Sequence, residues 1–196
     1  GGGEVLATAG RTKNAAADGW LREWTATAEP AEAAGAEALA AGRRITAFGY
    51  FMRAANYHAT ALYMITHTGA ADEQLERWRR QRAAWDRAVD LMPVPGERIT
   101  IPYEGVELAG YFFRAPDAAE GERRPLVVMI NGSDGTTSAM WLQGGAAAAE
   151  RGYHWMTFDG PGQQSTLFEL GIPFRPDWEA VLTPVVDAMV ARADVD

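Results

Sequence analysis

The stretch that decides the fold is Pro125–Thr166, PLVVMINGSDGTTSAMWLQGGAAAAERGYHWMTFDGPGQQST. Two short apolar runs, Leu126–Ile130 and His154–Phe158, have the length and composition of buried strands, and each leads into a glycine-rich turn. The residues from about Thr137 to Arg151 predict a helix between them. A strand, a helix and a second strand in this order predict a parallel βαβ unit. Open sheets of this type bind ligands in the crevice at the carboxyl ends of their strands.

The part of the chain before Pro93 is predicted to be helical from about Asp18 to Met92. A first amphipathic helix is marked by Trp20, Leu21 and Trp24, and the Ala/Glu-rich residues 31–41 have high helix propensity. The strongest periodicity follows, as an apolar stripe with steps of three and four: Ile45, Phe48, Met52, Ala55, Ala59 and Leu62. A further helix carries Leu75, Trp78, Trp85 and Val89. The opening Gly1–Gly3 has no methionine and is left out of the fold prediction, as a processed, engineered or truncated start.

After Pro95 the periodicity changes from that of a helix to that of a strand. Ile99 and Ile101 alternate with polar residues, a turn follows at Tyr103-Glu104-Gly105, and residues 106–113 return as a second strand. This pattern predicts an antiparallel hairpin that precedes the βαβ unit.

The chain ends in a predicted helix from near Asp177 to Ala193, with a break at Thr183-Pro184 because proline suits only the first turn of a helix. The predicted fold class is therefore α/β. Residues 1–94 are expected to form an all-helical domain, and residues 95–196 the first half of a doubly wound sheet.

Composition excludes several classes of function. The 196 residues carry 26 acidic and 18 basic side chains, a formal charge of -8, which argues against a nucleic-acid-binding surface. The dense basic run at residues 77–82 is interleaved with acids and is interpreted as a solvated helix face. The chain has no cysteine, its three histidines lack metal-ligand spacing, and no apolar run has the length of a membrane span. We therefore expect no metal, no cofactor, no nucleic acid and no membrane partner, and a cytoplasmic location.

The turn Asn131–Gly135 is the first candidate site. The backbone N–H groups that follow a buried strand are unpaired, and the small residues of the turn would let a tetrahedral oxyanion approach them, as in an oxyanion hole. The same turn can equally be an ordinary connection between strand and helix, capped by Asp134 or Thr137 and without a ligand.

A third interpretation makes Ser133 a nucleophile, because the turn is one residue short of the G-x-S-x-G pattern. An α/β fold of this kind needs an acid and then a histidine after the serine. The only later histidine, His154, precedes Asp159 and lies in a predicted strand, which disfavours this interpretation. Asp159 itself is expected to tie down its own glycine-rich loop.

A polar and aromatic stripe is predicted on the long helix that carries the apolar one. Tyr50, Arg53 and Tyr57 are three and four residues apart and could line a pocket for an aromatic substrate, with Arg53 available to an anionic or carbonyl oxygen. The alternative is a seam between the helical domain and the sheet, with Arg53 paired to a carboxylate. A lone His58 on this helix is interpreted as a satisfied polar residue.

Taken together, these segments resemble the α/β-hydrolase superfamily, and within it the subgroup with an N-terminal helical cap. That subgroup includes FrsA-like esterases and the 2,6-dihydroxypseudo-oxynicotine hydrolase type of carbon–carbon bond hydrolase. Five stretches carry the resemblance in the same order: RITAFGYFMRAANYHATALY, ITIPYEGVELAGYFF, PLVVMINGSDG, MTFDGPGQQS and DWEAVLTPVVDAMVARADVD. One departure is Gln164, where the D-G-P-G-Q-G-x-S pattern has glycine, which would stiffen or reshape that turn.

The resemblance implies a serine hydrolase that acts on a small ester or an aromatic ketone through an acyl-enzyme. It implies that Gly132, Ser133 and Asp134 form the oxyanion turn, and that the nucleophile elbow and the triad lie beyond residue 196. The expected partners are a small carbonyl substrate and the C-terminal half of the same hydrolase or a companion chain, with a homodimer also considered. The alternative function is a non-catalytic binding or assembly module on the same scaffold.

Overall fold

The computed structural model describes residues 1–196, which divide into two compact units, Gly1–Met92 and Pro93–Asp196. The first unit is all helical, and the second is an α/β unit built on one four-stranded sheet. None of the helices is both long enough and apolar enough to cross a membrane.

The helical unit contains four α-helices, α1 (Gly2–Thr12), α2 (Ala17–Ala40), α3 (Arg44–Leu62) and α4 (Gln74–Leu91). Two short 3₁₀ turns, Ile65–His67 and Ala71–Glu73, connect α3 to α4. Helix α2 packs along α3, and α3 packs along α4. At Gly35 an added Cβ would lie 3.1 Å from the Phe51 ring, so glycine permits the close approach of α2 and α3.

The structure corrects two predictions for the helical unit. The opening residues, left out of the fold prediction, form α1, which is joined to α2 by a hydrogen bond of 2.7 Å between the hydroxyls of Thr8 and Thr27. The predicted apolar stripe on α3 is also partly wrong, because Ile45 in the first turn is 89% exposed. Since α3 packs against both α2 and α4, its buried surface is wider than one stripe and includes Phe51 and His58.

The sheet of the α/β unit has the order β1-β2-β4-β3. Strands β1 (Glu97–Tyr103) and β2 (Val106–Phe113) form the predicted antiparallel hairpin, and β3 (Leu126–Ile130) pairs in parallel with β4 (His154–Phe158). The hairpin turn at Glu104-Gly105 has positive φ angles of 42° and 83°, the geometry that suits the twist of a two-residue hairpin.

Strand β3 is the edge of this sheet, since it pairs only with β4. Every residue of β4 is buried, whereas the residues of β3 are half-buried and Ile130 is 43% exposed. After β4 the chain forms the short helix α7 (Gln164–Phe168) and then helix α8 (Glu179–Val190), whose Val181, Val185 and Met189 pack against the core of the sheet.

Two predicted helices differ from the structure. The helix between β3 and β4 is not continuous: α5 (Thr137–Met140) and α6 (Ala146–Glu150) are separated by a π-helical turn, Trp141–Gly145, in which Gly144 leaves helical geometry with an extended φ of 172°. Its neighbour Gly145 lies so close to Trp155 that an added Cβ would be 2.8 Å from the ring.

The predicted break at Thr183-Pro184 is wrong, because α8 continues through Pro184. A proline at this position removes a single helical hydrogen bond, and the buried apolar side chains on either side of it hold the helix on the sheet.

Candidate active site

The turn Asn131–Gly135 follows β3 at its carboxyl end and leads towards α5. The N–H of Gly135 donates to the carbonyl oxygen of Gly132 over 3.2 Å and closes the turn. A Cβ on Gly135 would come within 2.9 Å of the Gly132 nitrogen, so this position requires glycine. Gly132, Ser133 and Asp134 are exposed.

The turn presents unpaired hydrogen-bond donors. The backbone N–H groups of Gly132, Ser133 and Asp134 donate to no other group of the chain. The helix that follows is capped by Thr136, whose Oγ1 accepts the Ala139 N–H over 3.3 Å, so the prediction of a cap at Asp134 or Thr137 is wrong. Thr136 takes this role because its extended backbone places the hydroxyl beside the first helical turn.

Asp159 lies at the carboxyl end of the neighbouring strand β4 and is fully buried. Its Oδ2 accepts the Ser165 hydroxyl over 2.9 Å and the Ser165 N–H over 3.3 Å, while its carbonyl oxygen accepts the Thr166 hydroxyl over 2.7 Å. These contacts tie Asp159 to its own loop, in agreement with the interpretation made from the sequence.

The second turn is also shaped by glycine and by one strained residue. Gly162 has a φ of 78°, and an added Cβ would be 2.5 Å from Phe174. Gln164 adopts a φ of 21°, at the margin of the left-handed region, although it is not glycine. The departure from the glycine pattern therefore falls on a backbone geometry that favours glycine.

Two buried side chains that sequence reasoning missed join the two turns. The Nδ2 group of Asn131 donates to Oδ1 of Asp159 over 3.4 Å. The Nε2 group of Gln163 donates to the carbonyl oxygen of Asn131 over 2.6 Å. Polar residues directly after two parallel strands were the available signal, because such strand ends are neighbours in a parallel sheet.

The structure separates Ser133 from the one histidine of this unit. His154 opens β4 opposite Leu126, at the start of β3, whereas Ser133 follows Ile130, at the other end of this strand, which spans about 13 Å. The His154 Nδ1 accepts the Ala115 N–H over 3.0 Å and is therefore occupied. No group of three or more His, Cys, Asp or Glu side chains is arranged to hold a metal ion.

In the helical unit, Tyr50, Arg53 and Tyr57 gather around Glu4 of α1. The Arg53 Nη1 donates to both Glu4 oxygens, at 3.1 and 3.2 Å, and the Tyr57 hydroxyl donates to Glu4 Oε2 over 2.8 Å. The Arg53 guanidinium lies 4.2 Å from the centre of the Tyr50 ring. Burial, followed by the hydrogen bond to Glu4, raises the pKa of Tyr57 to about 12.

His58 is a buried residue with a polar partner, as predicted. Its Nε2 lies 3.1 Å from Oε2 of Glu32, which also accepts from Arg80 Nε over 2.8 Å, and Arg80 Nη1 donates to Glu29 over 2.7 Å. Burial lowers the pKa of His58, and the contact with Glu32 opposes this only in part. The cluster borders a pocket of about 240 Å³ in the helical unit, and within it Arg80 forms ion pairs with Glu29 and Glu32.

The β1-β2-β4-β3 order, with an opening hairpin and glycine-rich turns after β3 and β4, is the first half of the α/β-hydrolase fold. The solved structure of the 2,6-dihydroxy-pseudo-oxynicotine hydrolase is similar over 99% of this chain, with a TM-score of 0.79 and 21% identity, and the match covers 52% of that protein. The resemblance to the α/β-hydrolase superfamily is thereby confirmed at the level of the fold.

Curated relatives extend the resemblance to sequence. Hydrolase acrC of Aspergillus aculeatus is 36% identical over 99% of this chain and 48% of its own length. Alpha/beta hydrolase ucsC of Acremonium is 35% identical over 90% of this chain and 38% of its own length, and the 20-hydroxy-prefusarin hydrolase of Gibberella moniliformis is 34% identical over 94% and 45%. The chain thus spans about half the length of the curated relatives it matches, and no protein-family profile matches it.

Proposed function

We propose that this chain provides the helical cap and the oxyanion turn of a serine hydrolase that acts on a small ester or an aromatic ketone. The observation that carries the proposal is the exposed turn after β3, where the N–H groups of Gly132, Ser133 and Asp134 have no partner in the chain. Preorganised backbone donors at such a position stabilise the negative charge that develops on a carbonyl oxygen under attack. The similarity to hydrolases over nearly the whole chain supports the same chemistry.

In the proposed reaction, a serine and a histidine come from a segment outside these 196 residues, either the C-terminal half of the same protein or a companion chain. The serine Oγ bonds to the substrate carbonyl carbon and its proton passes to the histidine. The resulting oxyanion accepts hydrogen bonds from the Ser133 N–H and from the N–H that follows the nucleophile. Collapse breaks the bond to the alkoxide or carbanion leaving group, which takes the proton back, and water then hydrolyses the acyl-enzyme.

Substrate choice is proposed to belong to the helical unit, through Tyr50, Arg53 and Tyr57. Arg53 and Tyr57 donate hydrogen bonds to the Glu4 carboxylate, and this geometry supports the proposal that they bind an oxygen acceptor of a substrate. A substrate with an anionic or carbonyl oxygen would interact with Arg53 in the same manner, and the Tyr50 ring would offer an aromatic surface.

The test is activity and active-site labelling of the complete natural polypeptide. We expect hydrolysis of p-nitrophenyl acetate or of 1-phenyl-1,3-butanedione, and covalent labelling of a single serine other than Ser133 by a fluorophosphonate. Hydrolysis of the first but not the second substrate would identify an esterase, and the reverse a carbon–carbon bond hydrolase. A pure, folded protein that hydrolyses neither compound and takes up no label would refute the proposal and favour the non-catalytic module.

A further inference from the structure

The Gln163 side chain is the central connection between the turn after β3 and the turn after β4. It is 1% exposed. Its Nε2 group donates to the carbonyl oxygens of Asn131, over 2.6 Å, and Gly132, over 3.4 Å, while its Oε1 accepts the N–H of Gly160 over 2.8 Å. One side chain thus holds the peptide groups on both sides of Gly132.

The orientation of this amide is fixed by its partners. Gly160 offers an N–H, which requires an oxygen, whereas Asn131 and Gly132 offer carbonyl oxygens, which require the NH₂ group with its two hydrogens. The backbone of Gln163 is itself held, since its N–H donates to the Gly160 carbonyl oxygen over 2.9 Å. Both N–H donors of the Gln163 side chain and its oxygen therefore have partners, and the side chain clamps the two turns together.

Peptide planarity transmits this clamp to Ser133. The carbonyl of Gly132 and the N–H of Ser133 belong to one trans peptide group, in which the two bonds point in opposite directions. A Gly132 oxygen that is held towards Gln163 therefore directs the Ser133 N–H away from it. The Gly135 N–H binds the same oxygen and restricts the peptide group further.

We propose that Gln163 is a positioning residue that sets the direction of the Ser133 N–H, and so determines how well this donor meets an oxyanion. The inference rests on the proposed function, because it gives the turn its oxyanion role. Gln163 touches no substrate in this account and acts only through the peptide groups of Asn131 and Gly132.

The substitution Gln163→Glu changes the hydrogen bonds of this side chain but keeps its size, so it separates the positioning role from a packing role. The new carboxylate keeps the acceptor for Gly160 but places negative oxygen against two carbonyl oxygens, so the peptide groups are released or repelled. When protonated, the same carboxyl regains one donor and resembles the amide. The ratio of the variant's kcat to that of the wild type should therefore rise as the pH falls. Gln163→Met, similar in length and uncharged, should show the loss without this recovery.

Both variants would be compared with the wild type and with Gln143→Glu, the same change at an exposed glutamine, in the complete natural polypeptide. We would measure kcat and KM for p-nitrophenyl acetate, the inhibition constant of phenylboronic acid as a tetrahedral probe, and the melting temperature. The N–H residual dipolar coupling of Ser133 reports the direction of this bond without reference to activity.

We expect both Gln163 variants to lose about 10 to 10²-fold in kcat, less than the loss of a whole oxyanion donor. Phenylboronic acid should bind the Gln163 variants more weakly by a similar factor, while their KM stays near the wild-type value. The control Gln143→Glu should behave like the wild type. The N–H residual dipolar coupling of Ser133 should change in the Gln163 variants. An unaltered coupling, or a loss of kcat without weaker boronate binding, would overturn the inference. An inactive wild type whose Ser133 coupling still responds to Gln163 would refute the proposed function but support the positioning role.

Discussion

Tyr57 contributes both to the core of the helical unit and to the polar cluster around Glu4. Its ring is part of the helical core, 5% exposed and 6.0 Å from the centre of the Trp24 ring, while its hydroxyl donates to Glu4. We expect Tyr57→Ala to lower the free energy of unfolding by about 2 to 4 kcal/mol, because it leaves a cavity. Tyr57→Phe keeps the packing, so a change in KM for this variant, with a melting temperature near wild type, would support substrate binding. A KM that stays at the wild-type value would contradict it.

His58 predicts a pH dependence of stability. Burial lowers its pKa in the folded protein, so the unfolded chain binds a proton more readily as the pH falls below the ordinary value of about 6.5. Stability attributed to neutral His58 is therefore present above that pH and lost below it, by at most about 1.4 kcal/mol per pH unit.

Denaturant unfolding of the complete polypeptide at several pH values tests this expectation. His58→Gln retains a hydrogen-bond donor for Glu32 but cannot titrate, so the slope between neutral pH and the carboxylate range should flatten. An equally steep slope in this variant would assign the effect to another group.

At the level of elements, the sequence predicted β2, β3 and β4 with their observed bounds, whereas β1, indicated only by Ile99 and Ile101, begins earlier, at Glu97, and includes Tyr103, which was predicted in the turn. Apolar runs bounded by glycine turns carry that information locally. The predictions were wrong where contacts between distant residues determine the local structure. Pro184 stays inside α8 because Val181 and Val185 hold this helix on the sheet. The helix between β3 and β4 is interrupted because Gly144 and Gly145 lie close to Met129 and Trp155.

The candidate site was predictable only in part, for the same reason. The turn after β3 could be located because small residues follow an apolar strand. The clamp by Gln163 could not, because its partners Asn131 and Gly132 are 31 or more residues away in sequence and meet it only through the parallel pairing of β3 and β4.

The turn after β4 offers a test of stored strain. Gln164→Gly should raise the free energy of unfolding by about 1 kcal/mol, for two reasons. Glycine adopts a φ of 21° with less steric strain than a residue that has a Cβ. The substitution also removes the buried Oε1 of Gln164, which has no hydrogen-bond partner. Gln164→Ala removes the same polar group but keeps the Cβ, and serves as the matched control. Chemical denaturation of the three proteins would contradict the account if glycine were no more stable than alanine.

At the scale of the whole molecule, the sheet ends at β3, and the outer edge of this strand pairs with no other strand. Five consecutive apolar residues form this half-buried strand, and its outer edge carries unpaired backbone groups. Such an edge favours pairing with another strand or aggregation. We therefore expect the 196-residue chain alone to associate, and the complete polypeptide to protect the β3 amides from hydrogen exchange.

Sedimentation velocity of the 196-residue chain, with and without a separately produced C-terminal half, checks this expectation. The second polypeptide should convert aggregates into a defined complex. A monodisperse 196-residue monomer that unfolds cooperatively would count against a missing neighbour for β3.

In the proposed function, the turn after β3 acts through its backbone N–H groups. The most direct measurement is kcat of the complete polypeptide carrying Ser133→Ala beside that of Ser133→Pro. Alanine keeps the N–H, so activity should fall only modestly and fluorophosphonate labelling should persist. Proline deletes the N–H and should cost about 10² to 10³-fold in kcat, together with any strain in the turn. A Ser133→Ala protein that is folded, inactive and unlabelled would instead make Ser133 the nucleophile and contradict the account.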